Sequence, residues 1–169
     1  MGSDGATRLT KISRVLVIGA GAMGSGIAQV IAESGVDVTL SDVDAPSLER
    51  GLAGIAARWD KAVANGKREG DTVTGFRSHL RSGDLSAARE VDLVIEAIVE
   101  RLPAKSALFT DLGQLAPAEA ILASNTSSIS VTALATASGR PERFVGLHFF
   151  NQALVLDGRG RPPLGGPEA

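Results

Sequence analysis

The chain has 169 residues, 44% of them hydrophobic, and a net charge of −2. That length suits one domain with its own core, and a near-neutral charge without a basic stripe argues against nucleic acid or an anionic membrane as partner. Cysteine is absent and the two histidines, His79 and His148, are far apart, so disulfides, thiolate chemistry and a histidine-spaced metal site are excluded.

Residues 1–10 are polar and read as a loose leader. No apolar run has the length of a membrane span or the form of a secretory signal, so a cytoplasmic protein is expected. The β-branched run from Val15 to Ile18 predicts a strand buried on both faces. From Ala22 to Ser34 the pattern is helical, with Gly35 as its C-cap. VDVTLSD predicts a second strand ending in Asp42, and Pro46 to Ala64 spaces apolar residues helically until Asn65-Gly66 stops it. Residues 67–90 are polar, with RSHLRSGDL read as a short strand plus turn. VDLVIEAI is a further strand. Leu102, Leu108, Phe109, Leu112 and Leu115 then give one helical face, with Pro103 tolerated in the first turn. AILAS and RFVGLHFF are two more strands, joined by the helical segment SVTALATA. Strands alternating with helices at this spacing predict an α/β fold, a doubly wound Rossmann-type parallel sheet, with an irregular C-terminal tail.

Gly19, Gly21 and Gly24 form G-x-G-x-x-G between the first strand and the first helix. The first glycine permits a tight turn, the second admits a pyrophosphate to the backbone, and the third lets helix and strand pack closely. Asp42 closes the second strand about 20 residues on, where a carboxylate accepts hydrogen bonds from a ribose and repels a 2′-phosphate. NAD is therefore expected over NADP. Asp44 competes for the ribose role, though the strand-end position favours Asp42.

Three strand ends deliver polar groups to the far half of the crevice. They carry Glu96 and Glu100, then Asn125, Ser127 and Ser128, then His148 and Asn151. An imidazole suits proton transfer near neutral pH, and a serine hydroxyl can hold a substrate oxygen by donating or accepting. His148 beside Phe149 and Phe150 also reads as a packed core residue, Ser128 as a helix cap, and Lys105 as a solvated surface group. His79 reads as structural or exposed.

Together, VIGAGAMGSGIA, Asp42, DLVIEAIVE with Lys105 after it, ILASNTSSISVT and RPERFVGLHFFN resemble the NAD-binding domain of L-3-hydroxyacyl-CoA dehydrogenases, with the 3-hydroxybutyryl-CoA type most similar. The resemblance covers roughly residues 12 to 151, and SNTSS with HFFN is more specific than the glycine fingerprint. It implies an oxidoreductase of fatty acid metabolism and beta-oxidation, converting a 3-hydroxyacyl-CoA to the 3-oxoacyl-CoA with NAD. His148 would be the general acid or base, with Ser127 on the 3-oxygen and Asn151 in support. Gly19, Gly21, Met23, Gly24, Asp42, Glu100, Lys105, Asn125 and Ser127 would hold the cofactor. Ser47 and Lys61 would contact CoA. No metal is implied.

After Asn151 the sequence departs from that pattern. Gln152 stands where the family has proline, and Gly160 where it has the glutamate that orients the imidazole. The tail, 152–169, is dense in Gly, Pro and Arg and reads as disordered. The expected organisation is a leader over 1–10, an NAD-binding domain over 11–151 and this tail, with the family's helical second domain absent. Glu96 or Glu100 is the available substitute for the missing carboxylate. Three readings follow: a dehydrogenase by descent with little turnover from this chain alone, a module that holds NAD without catalysis, or a frameshifted remnant. The surface left by the missing domain would favour self-association.

Overall fold

Four consecutive buried residues in the first strand set the architecture, because alternate side chains of a strand point to opposite faces. The computed structural model, which describes residues 11–149, places β1 at Arg14–Ile18. Val15 and Val17 face one layer with Ile27, Ile55 and Trp59, while Leu16 and Ile18 face the other with Phe109, Leu112 and Leu134. A strand apolar on both faces belongs in the middle of a sheet covered on both sides.

The remaining elements are α1 (Ala22–Glu33), β2 (Asp37–Ser41), α2 (Ala45–Ala64), α3 (Gly70–Ser78), β3 (Leu80–Ser82), β4 (Leu93–Glu96), α4 (Leu102–Leu115), β5 (Ile121–Ser124), α5 (Val131–Ser138) and β6 (Phe144–Gly146). Short 3-10 turns occupy Leu85–Glu90 and Pro141–Arg143. All six strands run parallel in the order β3-β2-β1-β4-β5-β6. The order reverses between β1 and β4, and a sheet of this topology opens its ligand crevice there, outside the carboxyl ends of the strands. The expected doubly wound sheet is present.

The register puts Ile18, Glu96 and Ser124 level across β1, β4 and β5, so their chain exits form one edge. Leu122 pairs with Phe144, whose ring meets Phe109 edge-on with centroids 4.7 Å apart. That contact locks α4 to the β6 edge of the sheet. The opposite layer is tied by a polar group as well: Trp59 Nε1 of α2 donates to Glu33 Oε1 of α1, which also accepts from Gln29 one turn back on the same helix.

Several expectations change. The polar stretch 67–90 does contain the short strand, but α3 precedes it, a helix that buries only Val73 fully and so lacks an apolar stripe. The strand read from VDLVIEAI ends at Glu96, because Ile98 N donates to the Glu96 carboxylate and the chain turns out of the sheet. The helix cap is Ser130, whose Oγ accepts from Ala133 N, and not Ser128. Gly35 follows Ser34, which occupies the cap position, and takes the left-handed conformation at φ +78°. The leader and the tail lie outside the described residues. Among the described residues no helix is long and apolar enough to cross a membrane, and no acidic or histidine cluster could hold a metal ion.

Candidate active site at the carboxyl edge of the sheet

The turn after β1 is shaped by backbone contacts that leave no room for side chains. Gly19 sits at φ +104°, and a Cβ there would lie 2.5 Å from Ala97 O. A Cβ on Gly24 would lie 1.8 Å from Gly19 O, so α1 starts directly against the turn. Gly21 differs: nothing lies within 4 Å of its absent Cβ. Gly21 is also the N-cap of α1 and supplies no side-chain cap, so the first amides of the helix face that open space. Free amides at a positive helix end beside a backbone with unfilled room suit a pyrophosphate.

Asp42 braces this turn. Its Oδ2 accepts from Ala20 N at 2.8 Å and its Oδ1 from Asp44 N at 2.9 Å. Asp44 lies two residues on and caps α2, its Oδ2 accepting from Ser47 N. Beside the turn lies a cleft of about 290 Å³ lined by Gly21, Ser25, Ser47, Arg50 and Arg58 among others. The two arginines escaped the sequence reading. The signal was there, since positions 47, 50, 51, 54 and 58 recur at helical spacing and share one face of α2.

At the other half of the edge, carboxylates organise the hydroxyl loop after β5. Glu100 Oε1 accepts from the Thr126 hydroxyl, from Ser127 N at 3.1 Å and from Ser128 N at 3.2 Å. Its Oε2 meets Lys105 Nζ at 2.8 Å. Burial pushes the Glu100 carboxyl up, but the Lys105 ammonium, the Thr126 hydroxyl and the Ser128 amide outweigh this and hold it down at about 2. Lys105 is wholly buried, which overturns its reading as a surface group; Nζ reaches Glu96 at 2.9 and 3.1 Å. Through its contact with Glu100 Oε2 it is tied to the carboxylate that holds the hydroxyl loop. Thr126 is a third residue missed in sequence. Its Oγ1 also accepts from Ile129 N, turning the loop toward α5.

His148 is exposed and lies two residues beyond β6, so the core reading fails. Its neighbours fix its place: Leu147 N donates to Ser124 O at 3.0 Å, and Phe149 N donates to Asn125 Oδ1 at 2.9 Å. The backbone on either side of His148 is therefore held against the end of β5 and Asn125, in the same loop as Ser127. Glu96 and Glu100 direct their carboxylates to Lys105, Ser124 and the hydroxyl loop. Asn151 lies outside the described residues.

Other candidates are less well placed. Met23 is half-buried and packs against the core. Ser47 Oγ donates to Asp44 and accepts from Arg50, while Lys61 is exposed 14 residues further along α2. At 1.5 Å per residue that separates them by roughly 20 Å. The structure does not bring these two together.

The pH dependence of stability follows from Glu100. Its folded value lies below the ordinary 4.5, so the group stabilises the fold above that value and the contribution fades as pH falls toward 2. Asp37, Asp44 and Asp84 are lowered too, so the comparison must be differential. Glu100→Gln is expected to flatten the decline of Tm with pH between 5 and 2, read by thermal melts at stepped pH. A slope equal to that of the unaltered chain would show that Glu100 carries no such linkage.

The sequence model of the family described as 3-hydroxyacyl-CoA dehydrogenase, NAD binding domain, matches residues 14–157. A probable 3-hydroxybutyryl-CoA dehydrogenase of Deinococcus radiodurans is 52% identical over 142 residues, 83% of this chain and 50% of that protein. The 3-hydroxyadipyl-CoA dehydrogenase of Escherichia coli is 44% identical over 149 residues, 88% of this chain and 31% of that one. A crystal structure of 3-hydroxybutyryl-CoA dehydrogenase from Escherichia coli K12 superposes with a TM-score of 0.83 at 45% identity, covering 86% of this chain and 31% of that chain. The chain thus spans half or less of the length of these relatives.

Proposed function

Because this chain belongs to the family of 3-hydroxyacyl-CoA dehydrogenase NAD-binding domains, we propose that it holds NAD(H) along the edge from Gly21 to Ser127 and serves the interconversion of a 3-hydroxyacyl-CoA and its 3-oxo form. The supporting observation is the anchoring of the backbone on either side of His148 against the end of β5 and the hydroxyl loop, one strand away from the wall that backs the glycine turn. The unfilled space at Gly21 and the uncapped start of α1 fit the pyrophosphate, and Asp42 fits the adenosine ribose. NADH, when bound, supplies a hydride. In the reducing direction His148 gives a proton to the 3-oxygen, and the Ser127 hydroxyl steadies that oxygen by a hydrogen bond. In oxidation the same imidazole takes the hydroxyl proton. Asn151 is proposed to support them.

The exposed apolar side chains Val99, Leu102 and Val131, around the same edge, are where self-association is proposed, and a cytoplasmic location suits the reading. Trp59 is the single tryptophan, so quenching of its emission on adding NADH reads binding directly. Saturable quenching by NADH, weaker quenching by NADPH, and NADH consumption on adding acetoacetyl-CoA are the expected results. Quenching without consumption would assign the chain the narrower role of an NAD-holding module. No quenching would end the nucleotide reading altogether.

A further inference from the structure

The mechanism above makes no use of Glu96, although it is a fully buried carboxylate at the last position of β4. Its Oε1 accepts from Ile98 N at 2.7 Å and from Lys105 Nζ at 2.9 Å. Its Oε2 accepts from Ser124 Oγ at 2.5 Å and from Lys105 Nζ at 3.1 Å. Lys105 has three N–H donors, and the third goes to Glu100. The ammonium is therefore saturated: two carboxylates share one cation, with Lys105 and Glu96 buried and Glu100 open to solvent on one side.

We infer that Glu96 is a positioning residue which sets both halves of the crevice at once, aligning the Ser127 loop through Lys105 and Glu100 and shaping the wall behind the glycine turn through Ile98 N. The first arm is a chain of charge-assisted bonds. Glu96 fixes Nζ, Nζ fixes Glu100 Oε2, and Glu100 Oε1 holds Thr126 and the amides of Ser127 and Ser128. The second arm is steric. Ile98 N and Ala97 O stand 3.1 and 2.5 Å from where a Gly19 Cβ would be, so the peptide that Glu96 pins is the surface on which the turn rests. Neither arm requires Glu96 to touch a ligand.

Glu96→Gln keeps the shape but turns one oxygen into an N–H donor aimed at Lys105, which disturbs the ammonium without removing bulk. Lys105→Met leaves two carboxylates facing each other without a cation. If Glu96 acts through Lys105, adding Glu96→Gln to Lys105→Met removes that conflict, so the double variant should lie nearer the unaltered chain than Lys105→Met does.

The test is hydrogen exchange followed by mass spectrometry on the cofactor-free full chain, with Trp59 emission as the check on folding. Glu96→Gln is expected to speed exchange in residues 126–129 at least fivefold and to leave residues 15–18 within twofold, a local pattern that general destabilisation would not give. The double variant is expected to recover protection, or folding itself, relative to Lys105→Met. Unchanged exchange in 126–129 in folded Glu96→Gln, a uniform increase that includes 15–18, or no recovery in the double variant would each overturn the inference. It rests on reading the Ser127 loop as one wall of the dinucleotide crevice. The exchange result stands without nucleotide, so a chain that binds no NADH would refute that reading and still decide the role of Glu96.

Discussion

Gly24→Ala is expected to abolish detectable NADH binding and to lower Tm by several degrees. In an unconstrained helix the change to alanine would be favourable by about 1 kcal/mol. Here the new methyl would sit 1.8 Å from Gly19 O, a backbone atom that cannot swing aside. The start of α1 must retreat from the turn, at about 1–3 kcal/mol or more for forced overpacking. That is a large part of the 5–15 kcal/mol, roughly, that holds such a domain together. Retreat of the helix also moves the amides that would hold the pyrophosphate. Gly21→Ala is the informative contrast, because its methyl meets no protein atom within 4 Å. It should melt like the unaltered chain and still lose NADH affinity, since it fills the space a phosphate needs. Thermal melts and Trp59 quenching on both variants separate the two glycines. Native NADH affinity in Gly24→Ala would show that the close approach at the turn is dispensable.

His148→Ala is expected to reduce acetoacetyl-CoA reduction by about 10²- to 10⁴-fold, the range supplied by a positioned proton donor. NADH affinity should stay within a few-fold, because the amides and carboxylates that would hold the nucleotide are elsewhere. The fold should tolerate the change: His148 is exposed, and its neighbours are fixed by backbone amides that alanine leaves intact. A turnover number that survived the substitution would remove the imidazole from the chemistry. Equal losses in binding and turnover would instead make it a nucleotide contact.

Much of this was readable from the chain. The run from Val15 to Ile18 reads as a central strand, because four adjacent apolar, β-branched-rich residues ask for cover on both faces, and the structure buries all four. The glycine spacing and Asp42 fixed where the turn lies, and the strand that delivers His148 followed from its apolar run. Helix α3 was not readable, since one buried valine among polar residues gives no periodic stripe. Lys105 failed for a different reason. A lysine one turn into a helix is ordinarily solvated, and only the register of β4 against β5 shows that Glu96 faces inward to receive it. Burial of charge is a long-range property, set by elements far apart in sequence. The same holds for Thr126, which looks like any loop hydroxyl until Glu100 arrives beside it.

Asp42 ties recognition to rigidity. The carboxylate proposed to meet the ribose also holds Ala20 N and Asp44 N, and so staples the glycine turn to the end of β2. A mutational route toward NADP that begins by neutralising this residue would loosen the cradle in the same step. Selection for a new cofactor would then have to repair the scaffold before it could reward the switch, which makes nucleotide preference in this domain hard to reverse by single changes.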